Sequence, residues 1–136
     1  MTVAPVGNPQ LRTQILDSLR TIDDSVKAQS ALLNSCCDAE WLDDDSRTSV
    51  RWLLSALREH RRNLRKMSRV WRALGVDDHI DGQLVAATAD LLDEHRSFRP
   101  HIEYWRSAAV AGIRSDRSRF WRDMLDLAES NLRSAS

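Results

Sequence analysis

A chain of 136 residues with 42% hydrophobic and 29% charged residues is long enough for one globular domain and too apolar to stay disordered. Its 20 basic and 20 acidic residues cancel, so it is not a polycation, and any affinity for a polyanion must come from charges sorted onto one face. No apolar run approaches the roughly 18 residues of a membrane span, and Met1 to Asn8 lack the basic and apolar stretches of a secretory signal.

Residues 1–8 read as an N-terminal extension to a single helical domain that fills the rest of 1–136. Asn8 caps a first helix with Pro9 at its first position, and Leu11, Ile15, Leu19, Ile22, Val26 and Leu33 keep helical spacing to about Ser35. Charges on it alternate in sign (Arg12, Asp17, Arg20, Asp23, Asp24, Lys27), as on an ordinary solvated face. An acidic connection with Trp41 and Leu42 leads to a second helix, capped by Asp45 or Ser46 and stopped by Gly75 after Leu74. Asp77 or Asp78 opens a third helix carrying Ile80, Leu84, Ala87, Leu91 and Phe98 on one side, and Pro100 ends or kinks it. After the small-residue run Ala108 to Gly112, Ser115 or Asp116 caps a last helix to about Leu132. No segment alternates with period two between hairpin turns. The expected fold is all-α: an antiparallel bundle of four long helices, the third broken or kinked near Pro100.

The second helix carries the most informative pattern. Between Arg51 and Arg72 lie eight basic residues and a single acid, Glu59. Apolar Val50, Leu53, Leu57, Leu64, Met67, Trp71 and Leu74 mark one buried stripe, with His60 at a core-type position. With Val50 at heptad position a, Arg51, Arg58, Arg65 and Arg72 share position b, Arg62 and Arg69 position f, and Lys66 position c. These cations therefore line the face away from the core, a ladder about 31 Å long at the helical rise. Eighteen of the twenty bases are Arg, whose fork binds phosphate in two places and keeps its charge. Composition bias accounts for Arg over Lys but not for the clustering. A second group, Arg114, Arg117, Arg119 and Arg122, sits where the last helix is expected to begin, a position that disfavours cations unless an anion binds there.

The last helix has an apolar face wider than one core stripe: Phe120, Trp121, Met124, Leu125, Leu127, Ala128 and Leu132. Trp52 is also off the core seam. Packing within a broad bundle accounts for most such residues, including Tyr104, Trp105, Phe120 and Trp121. An interface built on Trp52, Trp121, Leu125 and Leu132 is the alternative.

Catalytic chemistry is hard to assemble. The four histidines include no pair at i, i+4 and no Glu-x-x-His, and the four glycines are isolated rather than in a phosphate loop. Adjacent Cys36 and Cys37 form neither an unstrained disulfide nor a zinc set, and read as reduced thiols of a cytoplasmic protein. His60 reads as a core histidine donating to a nearby carboxylate. The expectation is a non-enzyme without metal or cofactor. It is a small helical subunit of a larger assembly that contacts RNA or single-stranded DNA through the phosphate backbone, independently of sequence and with no membrane partner. By architecture alone it compares with the small helical subunits of CRISPR effector ribonucleoproteins, a comparison no motif carries. The alternative is a protein–protein adaptor or homo-oligomeric structural protein with no nucleic-acid role.

Overall fold

A computed structural model describes residues 8–75 and 78–135. Residues 1–7, most of the expected extension, and Asp77, one expected cap, lie outside the described residues. The helices are α1 (Asn8–Asp38), α2 (Asp44–Ala73), α3 (Gly82–Ser97) and α4 (Arg99–Ala135), with no strand among the described residues.

The expected four-helix antiparallel bundle is not what forms. α3 and α4 meet at Phe98, itself in helical conformation, so together they make one bent rod beside α1 and α2. The break expected near Pro100 is present as this bend, with Pro100 itself in the first turn of α4, where its missing donor is not needed. Ser115 and Asp116 do not cap a new helix either; α4 runs without interruption through the small-residue run.

Cross-contacts fix the directions. Arg12 of α1 reaches Trp71 and Arg72 at the end of α2, and Asp23 reaches Arg61, so these helices are antiparallel. Trp71 meets Thr88 and His60 meets His95, so α3 is antiparallel to α2. Cys36 meets Trp105, and Trp41 meets Gly112, so α4 runs beside α1 in the same direction. The core is continuous along this axis, from Leu19, Val26 and Leu33 through Val50, Leu57, Leu64 and Trp71 to Phe98, Ile102 and Trp105.

Local caps differ from the sequence reading in position but not in kind. Asp43, not Asp45 or Ser46, caps α2 by accepting from the Ser46 amide at 2.7 Å, which holds its carboxyl below the usual range. Asp81, not Asp78, caps α3 by accepting from the Gln83 amide at 2.9 Å. Gly75 follows the Leu74 cap of α2 without entering the left-handed region, since no glycine among the described residues has positive φ.

Two arginines join α1 to α2 end to end. Arg12 donates from Nε to the Trp71 carbonyl (3.0 Å) and from Nη2 to the Arg72 carbonyl (2.8 Å). Arg47 donates from Nε to the Cys37 carbonyl (2.9 Å) and from Nη2 to the Leu42 carbonyl (3.2 Å). Each helix thus has its orphan C-terminal carbonyls satisfied by a cation from the other. The alternating charges of α1 are therefore not all an ordinary solvated face.

Gly112 sets where the bundle ends. A Cβ built there would lie 2.6 Å from Trp41 Cγ, so only glycine lets α4 approach the indole of the α1–α2 connection. That connection is the end of both neighbouring helices. The rest of α4, from Ile113 onward, projects past it for about 33 Å.

Candidate nucleic-acid interface

The ladder forms as one face. Val50, Leu57, His60, Leu64 and Trp71 point inward, and this fixes Arg51, Arg58, Arg62, Arg65, Lys66, Arg69 and Arg72 outward; all seven are exposed. Arg58, Arg62, Arg65, Arg69 and Arg72 follow one another every three or four residues, a step of about 4.5–6 Å. An open cleft of about 300 Å³ runs among Arg58, Arg61, Arg62, Arg65, Lys66 and Arg69. A second hollow of about 310 Å³ continues toward α1, between Arg20, Arg65, Arg69 and Arg72.

Few of these charges are neutralised within the chain. Arg61, which is half-buried, donates to Asp23 at 2.9 Å, and Arg65 shares that carboxylate at 3.8 Å. Arg62 pairs with Glu59 one turn back at 2.7 Å, an exposed pair of the kind worth about 0–1 kcal/mol. Among the described residues no ion pair engages Arg51, Arg58, Lys66, Arg69 or Arg72. Eight cations against the carboxylates of Glu59 and Asp23 leave about six uncompensated.

Arg114, Arg117, Arg119 and Arg122 are placed differently from the expectation. α4 begins at Arg99, so they sit mid-helix with no free amides beside them, and the argument from a helix N-terminus fails. At 100° per residue they spread over roughly 200° of circumference, so they do not form one ladder. They lie on the projecting part of α4, away from the α2 face.

The aromatic residues divide. Trp105 is buried, whereas Tyr104, Phe120 and Trp121 are exposed, against the expectation that most would be core. Trp52 is 76% exposed on α2 beside Arg51, and Leu125 and Leu132 are equally uncovered.

One feature escaped the sequence reading. The His60 and His95 rings stack with centroids 5.4 Å apart and planes 14° apart, and Phe98 lies against His60 at 5.3 Å. His60 does not donate to a carboxylate as expected: Glu94 Oε2 is 3.9 Å from Nδ1, beyond hydrogen-bond reach, and both its nitrogens are buried without a partner. Burial pushes both imidazoles below their ordinary value; Glu94 opposes this at His60, while His60 and Arg99 reinforce it at His95. Trp71 Nε1 donates to Thr88 at 2.9 Å inside the core, a pairing with no local sequence signal. Cys36 is buried and Cys37 half-buried, both free, and burial raises the Cys36 thiol.

Among the described residues no three His, Cys, Asp or Glu side chains gather as a metal set, and no helix is long and apolar enough to cross a membrane. The chain matches no protein-family model, no curated protein and no solved structure.

Proposed function

We propose that this protein is a non-enzymatic helical subunit of a larger assembly that holds a nucleic-acid phosphate backbone along the outer flank of α2. The observation that supports it is the run of exposed cations without internal partners: Arg51, Arg58, Lys66, Arg69 and Arg72, all on one helix face. Like charges in such a block repel one another, and the fold keeps them in register by burying the opposite side of the same helix. Contacts of this kind neutralise phosphates without reading bases, and RNA or single-stranded DNA fits the single-file spacing.

The test is anisotropy of a labelled single-stranded oligonucleotide over a salt series. Log affinity should fall with log salt at about −0.7 per phosphate contacted. Reversing Arg58, Lys66 and Arg69 to Glu, which leaves the Asp23 pairs intact, should abolish binding while the helical signal is unchanged. Unaltered affinity in that variant refutes the reading.

A second reading is favoured by a separate observation, the exposed apolar surface of distal α4. On it the chain is an adaptor or a homo-oligomeric structural protein, with Trp52, Trp121, Leu125 and Leu132 at its interfaces.

A further inference from the structure

Past Gly112, α4 has lost its neighbours but not its apolar side chains. Ile113, Phe120, Met124 and Leu127 fall within about 60° of one another at 100° per residue, with Trp121 and Leu125 along one border. All are exposed, Trp121 by 56% and Leu125 by 66%. Together with Leu132 they present roughly 800 Å² of apolar side chain, more than the largest patch a monomer usually shows and about what one partner gives to a standard interface.

The charges along this segment say what covers it. Residues 113–122 carry Arg114, Arg117, Arg119 and Arg122 against Asp116, a net of three positive charges. Residues 123–133 carry Asp123, Asp126 and Glu129 against Arg133, a net of two negative charges. A partner of uniform charge complements only one half. A parallel copy sets like on like, and an antiparallel copy sets each basic half beside an acidic half while also opposing the helix dipoles. A two-fold contact of this kind is self-complementary, since every pairing occurs twice.

We infer that two copies of this chain pair through residues 113–132 of α4, antiparallel and centred near Arg122. Phe120 of each copy then lies opposite Met124 of the other, Ile113 opposite Asn131, and Arg119 beside Asp123 on the same flank. Arg117, the charged residue inside the apolar face, reaches outward toward the acidic half and fixes the orientation, as a polar residue in a helical seam does. This inference extends the second reading to a defined partner and does not depend on whether α2 binds nucleic acid. Dimerisation also gives an assembly two arginine faces instead of one.

Sedimentation equilibrium of the full chain should show a dimer at low micromolar concentration. Trp121→Asp with Leu125→Asp should be monomeric, with the same helical signal and unfolding midpoint for the bundle, because neither side chain packs on it. Arg119→Glu and Asp123→Arg should each weaken self-association about tenfold or more, and an equimolar mixture of the two should recover it. Oxidation should link an Ile113→Cys copy to an Asn131→Cys copy, and neither to itself. A wild-type monomer at high micromolar concentration overturns the inference. So does a dimer indifferent to the α4 substitutions, or self-linking of Ile113→Cys. Oligonucleotide binding measured on the monomeric variant separates this outcome from that of the α2 reading.

Discussion

Replacing His60 by Leu should stabilise this protein, although His60 is fully buried in its core. The imidazole is 0% exposed, and neither ring nitrogen has a hydrogen-bond partner. A buried polar group without a partner costs about 1–3 kcal/mol. Leucine keeps the packing against Phe98 and removes that cost, while the ring contacts with His95 and Phe98, worth about 0.5–1.5 kcal/mol, are lost. The net expectation is a gain of about 1 kcal/mol at pH 8, or about 3–5 °C in Tm for a chain of this size. The pH dependence should change with it. Both histidines sit below the ordinary 6.5 in the fold, so the unfolded chain takes up protons at these positions first. Their contribution is therefore intact above about pH 6.5 and is lost as the pH falls toward the depressed folded values, by up to about 1.4 kcal/mol per pH unit for each histidine. Urea unfolding followed by circular dichroism between pH 8 and 5 reads both effects. The wild-type minus variant difference should become more negative on acidification. A variant less stable than wild type at pH 8, with a difference flat in pH, refutes the reasoning.

Gly112→Ala should destabilise the protein by about 1–3 kcal/mol despite alanine's better helix propensity, because the added Cβ enters the Trp41 ring; chemical unfolding and a changed tryptophan emission check it. Arg12→Ala should cost about 1–2 kcal/mol, since it frees the Trp71 and Arg72 carbonyls at the end of α2, and amide exchange there should quicken before exchange in α1. Arg58→Gln with Arg69→Gln should leave stability within about 0.5 kcal/mol or raise it, and wild-type Tm should rise from low to moderate salt as the ladder's self-repulsion is screened. A loss above about 1 kcal/mol in that pair of substitutions would show that the ladder serves the fold.

What could be read from the residues alone was what depends on local periodicity. Val50, Leu57, Leu64 and Trp71 recur at helical spacing, and burying that stripe leaves Arg58, Arg62, Arg65 and Arg69 no direction but outward. The all-helical class, the approximate span of α1 and α2, the position of Trp52 off the core stripe and the excess apolar width after Phe120 all follow from the same rule. Side-chain spacing on one helix is a near-neighbour property, so no other segment is needed to state it.

Whatever depends on which helix lies beside which was decided only in three dimensions. Arg12 and Asp23 look like ordinary surface charges until α2 is laid antiparallel beside them, one capping its end and the other binding Arg61. His60 and His95 are 35 positions apart and become a stacked pair only because α3 folds back along α2. The break expected near Pro100 is present as the bend at Phe98. Ser115 and Asp116 offer a helix start that is not used, because an unbroken α4 buries Ile102 and Trp105 and brings Gly112 onto Trp41. That contact fixes the level at which α1 and α2 end, and so separates the buried half of α4 from the half left open. Composition and spacing gave the chain its helices and its arginine face; the packing of one glycine on one tryptophan decided how much helix lacks a neighbour.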